Sequence, residues 1–203
     1  MTETSRRPAA VDPSMEPALV ARLREGDPVA FDEVYAAFHA RLFNFLARLT
    51  RRRDVAEDLL EETWLRVVAH AHRLRDDTRL APWLFTIARN LYASYCRTRA
   101  IDAAAEARIG LWPEPVPPPS PFESTAATEM QRRVEQALAS MPRPYREVLL
   151  LVGVEGLTPA EAAVVCGVRA DTMRQRLSRA RALLSERLDR GGHATTVLGE
   201  VMP

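Results

Sequence analysis

Leu157-Thr158-Pro159-Ala160-Glu161-Ala162-Ala163-Val164-Val165-Cys166-Gly167-Val168-Arg169-Ala170-Asp171-Thr172-Met173-Arg174-Gln175-Arg176-Leu177-Ser178-Arg179-Ala180-Arg181 spells two helices and a tight turn. Thr158 is a good N-cap. Pro159 suits the first helical position, where its missing N–H would be unpaired anyway, and Glu161 completes a capping box by reaching back to the cap's own N–H. The helix that starts at Pro159 runs about two turns to Gly167, a residue free to take the left-handed conformation that helix ends often need. A second helix follows almost at once.

At about 100° per residue, Met173, Leu177, Ala180 and Leu184 fall on one narrow stripe of that second helix. Asp171, Gln175, Ser178 and Arg179 lie roughly opposite, flanked by Arg174, Arg176 and Arg181. A short helix, a Gly-containing turn and a longer helix with a basic outer face make the helix-turn-helix arrangement, whose second helix enters the DNA major groove. Five arginines and one acid stand between Arg169 and Arg181. An isolated helix of that kind reads as solvated surface; the capped helix and short turn ahead of it favour DNA.

The 203 residues suffice for one domain or two small ones, and the 47% hydrophobic content for packed cores. A net charge of +1 leaves any nucleic-acid affinity to local patches. All 28 basic residues are arginine, which a GC-rich coding bias explains better than function does. Cys96 and Cys166 stand far apart without metal-ligand spacing, which speaks against a metal site or a disulfide framework and for a reducing compartment. No apolar run of membrane-spanning length and no secretion signal is visible, so a soluble cytoplasmic protein without membrane insertion is expected. Phosphate-binding loops, nucleophile elbows, zinc-protease helices and dinucleotide fingerprints are all missing from the sequence, which argues against an enzyme.

The fold class expected is all-α: two small helical domains joined by a Pro-rich acidic linker, the C-terminal one containing the helix-turn-helix. Residues 1–15 are polar and Pro-containing, and read as a disordered lead. A short helix from about Pro17 to Arg24 precedes Asp27-Pro28, an N-cap followed by a helix-starting proline. Phe31, Val34, Tyr35, Phe38, Leu42, Phe45, Leu46 and Leu49 then recur at helical spacing up to Arg51-Arg52-Arg53, a triplet suited either to a helix dipole or to phosphate. Asp54-Val55-Ala56-Glu57 reads as a cap that restarts the helix, with Leu59, Leu60, Thr63, Trp64, Val67 and Val68 inward and Asp58, Glu61, Glu62 and Arg66 outward. That acidic face suits solvent or a partner.

A polar loop through Arg75-Asp76-Asp77-Thr78-Arg79 leads to a helix opened by Pro82, with Trp83, Leu84, Ile87, Leu91 and Tyr95 apolar and Arg89, Asn90, Arg97 and Arg99 outside. Trp83 and Phe85 fit a core as well as a stacking platform for single-stranded DNA. Residues 101–126 hold six prolines between Pro113 and Pro121 and the acids Asp102, Glu106, Glu114 and Glu123, and read as a flexible linker. The second domain, 127–190, begins with a helix from about Thr128 to Ser140, breaks at Met141-Pro142-Arg143-Pro144, and resumes through Val152, with Leu138, Tyr145, Val148, Leu149 and Val152 as candidate core. A short tail follows from Gly191.

Together, Phe31-Asp32-Glu33-Val34-Tyr35, Ala56-Glu57-Asp58-Leu59-Leu60-Glu61-Glu62-Thr63-Trp64-Leu65-Arg66 and Trp83-Leu84-Phe85-Thr86-Ile87-Ala88-Arg89-Asn90 resemble the second domain of an extracytoplasmic-function (group IV) RNA polymerase sigma factor. Pro144-Tyr145-Arg146-Glu147-Val148-Leu149-Leu150-Leu151 and the helix-turn-helix resemble its fourth domain. The likeness covers about 16–100 and 127–190 in family order. It implies a promoter-specificity subunit that binds core RNA polymerase through Asp58, Glu61 and Glu62. The minus-10 element would be read by Arg75, Asp76, Asp77, Thr78, Arg79, Thr86, Arg89, Asn90 and Arg97, the last on backbone. The minus-35 element would be read by Arg169, Thr172, Arg174, Gln175, Arg176, Ser178, Arg179 and Arg181. An anti-sigma partner is implied, and no cofactor. Glu61 stands where the family usually has Gln, and Arg169 where the recognition helix usually has a Ser cap. A free-standing helix-turn-helix repressor or activator is the alternative, and it would leave residues 16–100 without a role.

Overall fold

The computed structural model describes residues 15–108 and 129–199, with side chains described for 15–101 and 129–189. Among the described residues all regular structure is helical: α1 (Glu16–Arg24), α2 (Pro28–Thr50), α3 (Arg53–His70), a 3-10 turn (Ala71–Arg73), α4 (Leu80–Arg108), α5 (Glu129–Ser140), α6 (Arg143–Val148), α7 (Pro159–Cys166) and α8 (Ala170–Gly199). The chain divides into two compact units, one built on α1 to α4 and the other on α5 to α8. The lead at 1–14 and the Pro-rich stretch at 109–126 lie outside the described residues.

In the first unit, α2 presents Phe38, Leu42, Phe45 and Leu46 to α4, where Phe85 meets Phe45 edge-on with centroids 5.2 Å apart. The Tyr92 hydroxyl donates to the Leu49 carbonyl at 3.1 Å and so satisfies an acceptor that the end of α2 leaves over. The end itself turns on Arg51 at φ 59°, a left-handed conformation that costs a non-glycine residue about 1–2 kcal/mol. α1 adds Leu19, Val20 and Leu23 to this core, and α3 adds Leu60, Trp64 and Val67. The Asp27 carboxylate accepts the Val29 N–H at 2.9 Å and caps α2, as the Asp-Pro pair predicts.

In the second unit, α8 packs on α5, α6 and α7, and Met173, Leu177 and Ala180 are buried in a core that also holds Leu138, Met141, Val148 and Val165. After α6 the chain widens over Leu149–Val154, where the Glu155 N–H reaches five residues back to the Leu150 carbonyl at 2.9 Å. This wide turn keeps Leu149, Leu150 and Leu151 buried while exposing Gly153. Arg133 donates to the Leu188 carbonyl (2.8 Å) and Arg187 to the Ser140 hydroxyl (2.6 Å), fastening the later turns of α8 to α5.

Several boundaries differ from the sequence expectation. The linker expected from residue 101 is helical as far as Arg108, because Ala103-Ala104-Ala105 and Ala107 are strong helix formers and the prolines begin only at Pro113. The tail expected from Gly191 continues α8 to Gly199. Helix α3 starts at Arg53, so Asp54 sits inside the first turn rather than at the cap. Helix α4 starts at Leu80, ahead of Pro82. Val68 faces solvent (61% exposed), whereas Ile87, Tyr95, Val152 and Leu184 are half-buried.

Candidate nucleic-acid interface

The helix-turn-helix is fixed by short-range chemistry. Thr158 Oγ1 accepts the Glu161 N–H at 3.2 Å, and the Glu161 carboxylate accepts the Thr158 N–H at 2.8 Å, closing the expected capping box. At the far end of α7, Gly167 adopts φ 63° and the Val168 N–H bonds back to the Ala163 carbonyl at 3.0 Å, the six-to-one link of a Schellman turn. Helix α8 begins at Ala170, and the Arg169 carbonyl accepts the Met173 N–H at 3.0 Å. Asp171 lies in the first turn and pairs with Arg174.

Burial of Met173, Leu177 and Ala180 sets the rotation of α8, leaving Asp171, Arg174, Gln175, Ser178, Arg179 and Arg181 exposed. Arg169 is exposed just ahead of the helix. Thr172 and Arg176 are half-buried on its flank, so of the eight candidates these two reach outward least.

In the first unit, the candidate loop is short and tied. The Arg75 N–H donates to Thr78 Oγ1 and the Thr78 N–H to the Arg75 carbonyl, both at 3.0 Å. Arg75 also approaches Asp77 at 3.4 Å. Asp76 is paired with Arg24 at 2.6 Å, and Arg79 with Glu16 at 2.8 Å. On α4, Thr86, Asn90 and Arg97 share one face at about 100° per residue. Thr86 is half-buried and donates to the Pro82 carbonyl at 2.6 Å, Asn90 is exposed, and exposed Arg97 donates to Ser94 Oγ at 2.8 Å. Arg89 is half-buried one step round the helix.

On α3, Asp58 and Glu61 are exposed, while Glu62 is half-buried and bridges to Arg66 at 2.8 Å. Leu65 (60% exposed) and Val68 stand four and seven residues beyond Glu61, on the same face. The periodicity of α3 contains the signal that exposes Leu65, which falls on the acidic side of the wheel. Behind this face Tyr35 packs on Trp64 with centroids 4.8 Å apart and on His39 at 4.5 Å. Glu16, whose carboxylate reaches the base of the candidate loop, carries no sequence signal for that role.

Comparison with known proteins matches residues 34–101 to Sigma-70 region 2 and residues 131–184 to Sigma-70, region 4. Those two regions in that order define an RNA polymerase sigma factor. The chain is 35% identical over 157 residues to the ECF RNA polymerase sigma factor EcfG of Rhodopseudomonas palustris (strain TIE-1), covering 76% of this chain and 82% of that one. It is 32% identical to RNA polymerase sigma factor CarQ of Myxococcus xanthus, covering 82% of this chain and 94% of the relative. Among solved structures, the sigma factor RpoE of Bartonella quintana, crystallised with the anti-sigma factor NepR, superposes with a TM-score of 0.65 at 29% identity, covering 78% of this chain and 96% of that one. The chain belongs to the ECF family of RNA polymerase sigma factors, the promoter-recognising subunits of the enzyme. No helix among the described residues is long and apolar enough to cross a membrane.

Proposed function

We propose that this sigma factor divides its work among three surfaces. Asp58, Glu61 and Glu62, with exposed Leu65 one turn further on, dock on core RNA polymerase. Arg169 and the exposed face of α8 as far as Arg181 lie in the major groove of the minus-35 element. The loop Arg75–Arg79 and the Thr86, Arg89, Asn90 and Arg97 side of α4 hold the unpaired strand of the minus-10 element. In boundary terms, residues 16–100 serve the polymerase and minus-10 roles, and 127–190 the minus-35 role.

The observation that carries the α8 assignment is its rotation. Three buried apolar residues turn Arg174, Gln175, Ser178 and Arg179 outward together, and Arg and Gln are the side chains suited to purine edges and phosphates. The factor works by binding rather than by catalysis. It opens DNA by trapping exposed bases, offsetting an unstacking cost of roughly a few kcal/mol each. Its site of action is the cytoplasm, with the polymerase. An anti-sigma protein is its expected regulator; the Bartonella relative's complex with NepR supports that expectation.

Reconstitution tests the reading. The purified chain with core polymerase should produce specific starts from a promoter library. Alanine at Arg174 and Gln175 should weaken minus-35 dependence and leave core binding intact. Unchanged starts with both replaced would refute the α8 assignment. A free-standing repressor or activator would account for residues 131–184 and leave the region 2 match unused.

A further inference from the structure

Helix α1 contacts the 74–79 loop at both of its ends. Its first residue, Glu16, accepts the Arg79 Nε–H at 2.8 Å on one carboxylate oxygen and the Leu80 backbone N–H at 2.7 Å on the other. Its last residue, Arg24, donates to Asp76 Oδ1 at 2.6 Å. Nine residues of helix span about 13 Å, so the two anchors grip the loop at separate points.

Glu16 is only 8% exposed. A carboxylate so buried is tolerated when its oxygens are bonded, and both are. Because Leu80 is the first residue of α4, Glu16 also places a negative charge and an acceptor at that helix's N-terminus, from 64 residues away in sequence. Helix α1 is itself held firmly: Leu19, Val20 and Leu23 are in the core, and Arg22 bridges Asp27 (2.7 Å) and Glu33 (3.0 Å).

We propose that α1 is a positioning strap for the minus-10 loop, with Glu16 and Arg24 setting the loop's shape before DNA arrives. The proposal rests on the reading of 75–79 as the element that holds the unpaired base. A loop ordered in advance spends less of its binding energy on its own immobilisation and holds its recognition groups at a fixed distance. Arg79 is then a positioning residue, its Nε committed to Glu16. The side chains of Arg75, Asp77 and Thr78 are the ones carried toward the base.

The test uses the full chain bound to core polymerase and a single-stranded minus-10 oligonucleotide whose sequence is taken from mapped transcript starts. The reading is the ratio of affinity for that strand to affinity for one altered at a single base. Glu16→Gln, which keeps an acceptor for Leu80 but loses the ion pair, is expected to lower the ratio about threefold, and Glu16→Ala about tenfold. Arg24→Ala, at an exposed pair, is expected to lower it about twofold. Core affinity and duplex minus-35 binding should stay at wild-type values. A merely destabilised protein would lose both strands in proportion and leave the ratio unmoved.

If Glu16→Gln and Arg24→Ala keep the wild-type ratio while Thr78→Ala lowers it, the strap is refuted and the loop assignment stands. If Thr78→Ala and Arg75→Ala also keep the ratio, the loop assignment falls and the strap with it. Should Glu16→Ala fail to fold, Glu16→Gln and Arg24→Ala decide.

Discussion

Gly167→Ala should loosen the helix-turn-helix through its backbone alone. Gly167 holds φ 63°, and a Cβ placed there would meet nothing within 4 Å, so no steric clash enters. A left-handed conformation costs an L-residue about 1–2 kcal/mol. Alanine recovers about 0.4–1 kcal/mol by narrowing the unfolded ensemble. The net loss is about 1 kcal/mol, close to a fivefold shift in the folded-to-open ratio. Tryptophan fluorescence is blind to it, because Trp64, Trp83 and Trp112 all precede α5. Native-state hydrogen exchange at amides of α7 and the first turns of α8 reads it directly, as about fivefold lower protection. Gly153→Ala provides the control: it too meets nothing within 4 Å, but its backbone is not left-handed, so protection should hold or rise. Equal effects of the two substitutions would refute the argument that φ at Gly167 sets the cost.

Three further perturbations test other surfaces. The Arg22 guanidinium, then the Val29 N–H, hold the Asp27 carboxyl below the ordinary carboxylate range. Its stabilisation is therefore fully present above about pH 4 and is lost as pH falls through the lowered value; Asp27→Asn should flatten the acid limb of a Tm-against-pH curve, and an unchanged limb would count against the pair. Leu65→Arg, at an exposed position, should leave Tm within about 2 °C, since surface changes rarely exceed about 0.5 kcal/mol. It should also weaken capture of core polymerase, so unaltered capture removes Leu65 from the docking face. Arg179→Ala should lower the salt slope of minus-35 duplex binding by about one, as for loss of one phosphate contact. A slope equal to that of the wild type would place Arg179 off the backbone.

How much of this was legible in the sequence depended on the range of the interaction. Thr158, Glu161 and Gly167 act on neighbours within a few residues, so the pattern of letters contains the whole mechanism and the structure reproduces it. The apolar stripe of α8 was legible for the same reason, down to the polar face it turns outward. Helix ends were less so. The acids and prolines of 101–126 read as one linker, although the Ala-rich part at its start favours helix, and α4 continues to Arg108. Gly191-Gly192 suggested a stop that α8 does not obey. The wide turn at Leu149–Val154 and the left-handed Arg51 have no local signature, because a five-residue carbonyl link and a non-glycine residue at positive φ are both imposed by packing.

The two candidate DNA readers therefore reach their shapes by different routes. The α7–α8 turn is held by its own caps, and a mutation there acts locally. Within the 74–79 loop Arg75 bonds Thr78 and approaches Asp77, and α1 adds two anchors from more than fifty residues upstream. A loop that must hold an unpaired base cannot fill itself with internal bonds without occupying the groups the base needs. On the proposed reading, the anchors at Glu16 and Arg24 leave the exposed side chains of Arg75 and Asp77 engaged, among the described residues, only with each other. On the proposed reading, α1 is a point of control: drawing Glu16 away from Leu80 would alter the loop without touching a residue assigned to DNA.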